Sequence, residues 1–268
     1  MNTPAVPAWL QQARAQAMQP PLRPRVPFWI GMHPVGSVEP GVLEGLHGLV
    51  QPHCRGGQSG WVLQQGQGDA STGLHQLALA LRDAGRAAAW RHEQLLVCAP
   101  DGLRLATVER AVVRPLGIAT KAVHLVASAS DGRMWVQQRS LCKPNDPGRW
   151  DTLMGGMVSA ADDLPQALAR ETWEEAGLRL DQLQGLVHGG CVGFRRPSGG
   201  DGNEQDIGYT VEDIDWFHAV LPDGVVPQNQ DGEVEQFVLL EQDALGRMLA
   251  QGLFTLEAAL VIAAFQGW

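Results

Sequence analysis

Cysteine is scarce in this sequence and is not arranged as a metal site or a disulfide framework. The four cysteines, Cys54, Cys98, Cys142 and Cys191, are far apart and form no CxxC pair. Zinc sites and disulfide-stabilised secreted domains need closer and more regular spacings. We therefore expect reduced thiols, which are typical of a cytoplasmic protein.

Positive charge and long apolar segments are scarce as well. The 20 Lys and Arg residues are outnumbered by 29 Asp and Glu residues, so the net charge is −9. A general nucleic-acid-binding protein carries a basic face, so nucleic acid is not an expected partner. The longest apolar run, residues 256–265, is too short to cross a bilayer, and the N-terminal segment lacks the apolar core of a signal peptide. We expect a cytoplasmic protein without a membrane partner.

The length of 268 residues allows two domains of ordinary size, and the sequence changes in character near residue 120. We predict a smaller accessory α+β domain at residues 1–119. Its predicted elements are an amphipathic helix with Trp9, Leu10, Ala13 and Met18 on one side, strands at 28–35 and 95–97, and a helix at 74–89.

Strands and helices alternate in the second half, which predicts an α/β domain at residues 120–268. Asp131 and Gly132 mark a hairpin between two β-rich runs, and a glycine-rich loop at 197–208 is predicted to be mobile. The predicted strands are 123–128, 134–138, 216–221 and 233–240, and the predicted helices are 164–176 and 256–265.

The helix at 164–176 has clear signals at both ends and a row of carboxylates. Asp163 is a good N-cap and Gly177 a good C-terminal glycine. Glu171, Glu174 and Glu175, the carboxylate triad, have i, i+3, i+4 spacing and therefore share one face.

That face also carries apolar residues, so it should turn inward, where like charges repel each other strongly. Arg170 can offset one carboxylate through an i+4 contact with Glu174, but not all three. A divalent cation would remove the conflict, because Mg²⁺ and Mn²⁺ prefer hard oxygen ligands. The alternative is a crowded but solvated helix face.

The residues around the triad resemble the Nudix box, which is a glycine, five residues, a glutamate, seven residues and then REUxEExGU. Here Gly156 and Asp162 precede the run RETWEEAGL at 170–178. Asp162 replaces the first glutamate, which should weaken any salt bridge there. Thr172 replaces an aliphatic residue, which should alter packing.

The resemblance implies an α/β/α sandwich and the hydrolysis of a diphosphate bond. It implies that the triad and the carbonyl of Gly156 bind Mg²⁺ or Mn²⁺ and that Arg170 orients the glutamates. In the family the general base is often a glutamate outside the box. Glu233 and Glu235 are the candidates for this role, with an exposed acidic turn as the alternative.

Arg139 and Lys143 are the candidate cations for the diphosphate, since a carboxylate helix alone would repel it; surface solvation is the alternative. The segment from 137 to 150 also resembles isopentenyl diphosphate isomerase, which grips a diphosphate there. That isomerase has a cysteine directly before the glycine of its box. Gly155 stands at that position, which disfavours isomerase chemistry.

A resemblance over more of the chain is to thiamine pyrophosphokinase-related Nudix proteins, which carry a domain ahead of the Nudix domain. It rests on segments at 90–93, 108–110, 117–125 and 221–237. It implies hydrolysis of thiamine diphosphate, or an oxidised analogue, to the monophosphate. In the segment at 90–93, the triplet Arg91-His92-Glu93 is either a binding element or a solvated turn.

Three functional readings follow from these residues. The first is a diphosphatase acting on a thiamine-type substrate, and the second is a nucleoside diphosphate hydrolase acting on ADP-ribose, dinucleotides or NTPs. The third is a binding protein on a Nudix scaffold, against which the intact triad argues. A homodimer is compatible with the sequence. The aromatic residues available to a substrate ring, or to core packing, are Trp150, Trp173, Trp216 and Phe194.

Overall fold

The computed structural model describes residues 6–64, 66, 68–198 and 208–268. Of the predicted loop at 197–208, residues 199–207 lie outside the described part of the chain. The α-helices are α1 (Ala8–Ala17), α2 (Ala70–Asp83), α3 (Leu164–Ala176), α4 (Gln242–Ala250) and α5 (Leu256–Phe265). None of the described helices is long and apolar enough to cross a membrane.

In the described part of the chain the strands form three sheets, of four, two and seven strands. The first two are built from β1 (Val26–Ile30), β2 (His33–Val38), β3 (Val50–Arg55), β4 (Gln58–Leu63), β5 (Gln94–Cys98) and β6 (Arg104–Glu109). The third is built from β7 (Ala119–Ala129), β8 (Met134–Arg139), β9 (Trp150–Asp151), β10 (Met154–Met157), β11 (Gln184–Pro197), β12 (Tyr209–Leu221) and β13 (Val234–Leu240).

The seven-stranded sheet is the middle layer of an α/β/α sandwich, as predicted. Its main strand order is β11-β12-β7-β8-β13, with β10 paired to β7 and β9 to β8. Successive side chains of a strand point to opposite faces. Val123 and Leu125 accordingly pack with α3, while Ala122 and Val126 pack in the cluster that holds α4 and α5.

The segment before the seven-stranded sheet has a core of its own. Buried residues between Phe28 and Ile118, from β1, α2, β6 and their neighbours, form one cluster. α1 is different, because Leu10, Ala13 and Ala17 pack in the same cluster as α5. We propose the two-domain organisation on the basis of these cores, with α1 placed on the second domain.

Three details of the predicted N-terminal elements are wrong. The strand at 28–35 is a hairpin of β1 and β2, because Gly31 turns the chain at a φ of 56°. The helix at 74–89 starts earlier and ends before Gly85, which has a φ of 68°. Met18 lies at the end of α1 and is 59% exposed, so it does not belong to the buried face.

Candidate active site

α3 begins and ends where the sequence predicts. The side chain of Asp163 accepts a hydrogen bond from the Gln166 amide at 2.9 Å, and the Gln166 side chain accepts one from the Asp163 amide at 2.8 Å. This capping box satisfies donors that the first turn would leave unpaired. Gly177 ends the helix in the left-handed region, at a φ of 63°. The triad is therefore held on a well-defined helix.

The three triad carboxylates differ in burial. The side chains of Glu175, Glu171 and Glu174 are 2%, 13% and 44% exposed, respectively. The predicted inward turn of the stripe is thus correct for two of the three. Thr172 on the same helix is buried, and its hydroxyl donates to the Leu168 carbonyl at 2.6 Å, which satisfies the polar group that replaces an aliphatic side chain.

Arg170 bridges more carboxylates than the sequence predicts. Its guanidinium lies 2.8 Å from both Asp162 and Glu171 and 3.0 Å from Glu174. It also donates to the Met157 carbonyl at 3.3 Å. The expectation that Asp162 would weaken a salt bridge is therefore wrong, since the shorter side chain still reaches Arg170.

Glu175 is paired with a second cation, Lys143. Its carboxylate lies 3.2 Å from Lys143 Nζ and accepts from Gln137 Nε2 at 2.7 Å and from the Gly155 amide at 3.1 Å. Lys143 also contacts the carboxylate of Glu233. Arg170 pairs with two of the triad carboxylates, one more than the sequence argument expected, and Lys143 pairs with the third.

A negative excess nevertheless remains around the helix. Arg170 and Lys143 are the two cations, and their carboxylate partners are five: Asp162, Glu171, Glu174, Glu175 and Glu233. With all groups ionised, this cluster carries three uncompensated negative charges. Such an oxygen-rich, negatively charged cluster suits a hard divalent cation.

Gly156 lies directly against the triad. A Cβ atom at this position would lie 2.0 Å from Glu171 Cδ, so a larger residue would fit only if the Glu171 carboxylate moved. Its carbonyl is the main-chain ligand that the family resemblance implies.

The carboxylate oxygens of the triad and the carbonyl oxygen of Gly156 are the type of ligand that Mg²⁺ and Mn²⁺ prefer. Among the residues that the structure describes, however, no three His, Cys, Asp or Glu side chains converge on one point. The reason is visible in the contacts, because Arg170 and Lys143 hold the carboxylates in ion pairs. A bound ion would have to compete with these pairs for the same oxygens.

Burial raises the pKa of Glu171 to about 7, against the opposing effect of Arg170. Glu175 and Glu174 raise it further, since each disfavours a second negative charge nearby. Burial also raises the pKa of Glu175, opposed by Lys143. Both shifts express the same electrostatic conflict, which an added positive charge would relieve.

Arg139 already makes contacts with other residues of the protein. It lies 3.4 Å from Asp151 and donates to the Asn145 carbonyl at 3.1 Å. Its Nε is buried without a hydrogen-bond partner among the described residues, as is Gln137 Oε1. Orphaned buried polar atoms are rare in folded proteins, so these two point to a ligand or water beside them.

A polar cavity of about 350 Å³, the central cavity, opens beside α3. Every site residue predicted from the sequence lines it except Glu235, which is exposed on β13. Glu233 is therefore the better placed of the two candidate bases. The charged residues and histidine of the lining that sequence reasoning missed as site residues are Arg110, Arg114, His124, Asp146, Asp151, Glu212, Asp231 and Glu257.

These missed residues carry no local motif, so no sequence signal could have found most of them. His124 is an example: it is buried on β7, and burial lowers its pKa against the opposing effect of Asp151. A Cβ on Gly155 would lie 2.7 Å from the His124 ring. A cysteine at that position would therefore collide with the imidazole.

The aromatic residues offered for substrate stacking do not line the central cavity. Phe194 and Trp216 are buried in the core cluster of α5, and Trp150 packs against that cluster. Trp173 is 52% exposed on the surface of α3. Core packing is thus the explanation for three of the four.

The comparisons with known proteins agree with this geometry. The family model described as NUDIX domain matches residues 119–259, just over half of the chain. An α/β/α sandwich whose glutamate-bearing helix follows a glycine-containing strand, here β10, is the arrangement of the Nudix class of protein. The chain belongs to the NUDIX family.

Two curated relatives and one solved structure illustrate the similarity. Nudix hydrolase 24, chloroplastic, of Arabidopsis thaliana is 29% identical over 140 residues, covering 50% of this chain and 36% of that protein. Isopentenyl-diphosphate Delta-isomerase of Leifsonia xyli subsp. xyli is 32% identical over 95 residues, covering 34% of this chain and 50% of that protein. The crystal structure of DR0079 from Deinococcus radiodurans shares the fold, with a TM-score of 0.50 and 18% identity over 65% of this chain and 99% of that one.

The chain spans well under half of the length of the two plant Nudix hydrolases that it matches, numbers 24 and 20, at 36% and 42%. The family assignment rests on the Nudix region itself.

Proposed function

We propose that the protein is a Mg²⁺- or Mn²⁺-dependent Nudix pyrophosphohydrolase that cleaves a diphosphate bond. The observation that carries this proposal is the charge cluster on α3. Two cations face five carboxylates there, beside Gly156, where a Cβ atom would overlap the Glu171 carboxylate.

The metal would be held by Glu171, Glu174, Glu175 and the carbonyl of Gly156. When bound, it would polarise a phosphoryl oxygen and promote ionisation of the attacking water. Arg170 would keep the carboxylates aligned through its contacts to Glu171 and Glu174.

Glu233 is the proposed general base. It lines the central cavity and contacts Lys143, and a carboxylate in that place can accept a proton from the attacking water. The oxygen of water would form a bond to one phosphorus as the bond from that phosphorus to the bridging oxygen breaks. The bridging oxygen would leave as an oxyanion on the other phosphate, and a proton of the water would pass to Glu233. Lys143 and Arg139 would face the diphosphate oxygens. Glu235 lies outside the central cavity, so we assign it no contact with the substrate.

The proposed substrate is thiamine diphosphate or a damaged analogue of it. This rests on the resemblance of segments at 90–93 and 221–237 to the thiamine pyrophosphokinase-related Nudix proteins. The second candidate is a nucleoside diphosphate-type compound such as ADP-ribose. The strongly polar lining of the central cavity favours it, because no Trp, Tyr or Phe side chain is among the described residues that line the cavity.

A substrate panel tests the proposal. Metal-free protein is supplied with Mg²⁺ or Mn²⁺ and thiamine diphosphate, its oxidised analogues, ADP-ribose, a dinucleotide and an NTP, and monophosphate release is measured. We expect turnover of at least one compound only with metal. Glu175→Gln should lower that turnover at least a hundredfold while the fold is retained.

Glu241→Gln is the matched control, since it removes one carboxylate from an exposed position at the start of α4. It should leave turnover within twofold of the wild type. A protein that binds these diphosphates but releases no monophosphate with either metal would instead be a binding module on a Nudix scaffold.

A further inference from the structure

We propose that Arg91 and Arg114, the arginine pair, bind a phosphoryl group of the substrate at the end of the central cavity away from α3. Both residues precede the region that the NUDIX family model matches. The proposal rests on the proposed function, and it adds a binding site that the Nudix box does not supply.

The arginine pair shares one cavity with the triad. Arg91 and Arg114 line the central cavity together with Glu171 and Glu175. An adjoining recess of about 170 Å³ is lined by both arginines and by Tyr209. A substrate whose reacting bond lies at α3 would therefore extend toward these side chains.

The other cations of the cavity are already engaged by carboxylates. Arg139, Lys143 and Arg170 pair with acidic residues of the cavity wall. Arg110 is bound to Glu93 at 2.7 Å. Arg91 and Arg114 make no ion pair within the part of the chain that the structure describes, so their charge is available to an incoming anion.

The main chain fixes the position of both arginines. The amide of Arg91 donates at 2.9 Å to Glu109, whose side chain is buried. The carbonyl of Arg114 accepts from the Tyr209 amide at 2.9 Å, which ties it to the start of β12 in the large sheet. The guanidinium groups are therefore carried on anchored backbone rather than on a free loop.

His92, next to Arg91, adopts a left-handed backbone with a φ of 57°. For a residue other than glycine this backbone conformation is strained, and such strain concentrates at functional sites. The conformation turns the chain between Arg91 and Glu93, so that both side chains line the cavity. The Arg91-His92-Glu93 triplet is thus better explained as a binding element than as a solvated turn.

Guanidinium groups match a phosphoryl group in shape and charge, since each can donate two parallel hydrogen bonds. The opposite end of the cavity has an excess of negative charge. A diphosphate with a metal at one end therefore needs cations at the other. Two unpaired guanidinium groups meet that need, and they would disfavour a cationic ring in the same place.

Binding of methylenediphosphonate, a diphosphate that cannot be hydrolysed, tests this site. The ligand is titrated calorimetrically with Mg²⁺ into the wild type and into the double variant Arg91→Gln/Arg114→Gln. We expect affinity to fall at least tenfold in the double variant. With a substrate from the panel, KM should rise by a similar factor while kcat stays within about threefold.

The control is Arg104→Gln/Arg247→Gln, which removes the same charge from two exposed arginines outside the cavity lining. Its affinity for methylenediphosphonate should be within twofold of the wild-type affinity. Equal binding by the wild type and the Arg91/Arg114 double variant would overturn the arginine site, even if diphosphate hydrolysis is observed. Arginine-dependent binding without any hydrolysis would leave the site standing and remove the proposed function instead.

Discussion

Gly156 has the least freedom to vary of the residues at the site. A Cβ there would lie 2.0 Å from the carboxylate carbon of Glu171, so Gly156→Ala must displace Glu171 or strand β10. We expect more than a tenfold loss of metal-dependent turnover, at a cost of about 1–3 kcal/mol in the free energy of unfolding. Turnover assays and urea unfolding measure the two effects.

Gly246→Ala is the matched control for that substitution. Gly246 lies inside α4, and no heavy atom beyond the backbone of its own helix and its chain neighbours lies within 4 Å of the place that a Cβ atom would take. Alanine should therefore stabilise the protein by about 0.5–1 kcal/mol without changing turnover. Wild-type turnover by Gly156→Ala would show that Glu171 does not need its present position.

Glu257 predicts a dependence of stability on pH. Burial raises its pKa to about 7 from an ordinary value of 4.5, and nearby Glu212 raises it further. The folded state favours the protonated form of Glu257. Its contribution to the free energy of unfolding is therefore complete below pH 4.5 and is lost as the pH rises through about 7.

Glu257→Gln cannot ionise and should escape that loss. Between pH 5 and 8.5 the wild type should lose about 2 kcal/mol more unfolding free energy than Glu257→Gln, as measured by urea titration at each pH. Parallel curves for the two proteins would contradict the buried, protonated carboxyl group. Glu241→Gln, at an exposed site, should follow the wild-type curve.

The sequence predicts the residues of the box but not their partners. Glu171, Glu174 and Glu175 are identifiable because helical spacing and the box fix them within one element. Lys143 pairs with Glu175, and Glu257 lines the same cavity, only because the fold brings distant segments together. Contacts between segments so far apart leave no local pattern to read.

At the scale of elements, the helix cap of α3 supports the site, which a substitution can test. Asp163→Ala removes a capping box and should cost about 1 kcal/mol in the free energy of unfolding. Because α3 carries the triad, turnover should also fall severalfold. Both are measured on the same purified variant.

Asp69→Ala provides the comparison. Asp69 caps α2 by accepting from the Thr72 amide at 2.8 Å, and α2 contributes no residue to the central cavity. Asp69→Ala should lower the free energy of unfolding by about as much as Asp163→Ala and leave turnover within twofold of the wild type. Equal loss of turnover in both variants would mean that general stability, and not the position of α3, limits activity.

The accuracy of the predicted elements follows the strength of their end signals. α3 and α5 have the predicted bounds, since Asp163 and Thr255 cap their first turns. The start of α2 is missed because its first turn, after Asp69, carries few large apolar residues. The sequence pattern does not separate β1 from β2 because only two residues, Gly31 and Met32, lie between them.

At the scale of the whole molecule, the layered architecture is predictable and the cavity is not. Alternating strands and helices already imply a sandwich, and the structure confirms it. The central cavity takes residues from both sides of position 119, so its shape depends on how the two parts pack. That packing is set by side-chain fit, which has no periodic signature in the sequence.

The central claim is that the carboxylates of α3 bind a divalent cation. Calorimetric titration of Mn²⁺ into metal-free protein tests it most directly, comparing the wild type with the triple variant Glu171→Gln/Glu174→Gln/Glu175→Gln. The account predicts saturable binding to the wild type and at least a hundredfold weaker binding to the variant. Equal affinity in the two proteins, or no binding to the wild type, would contradict it.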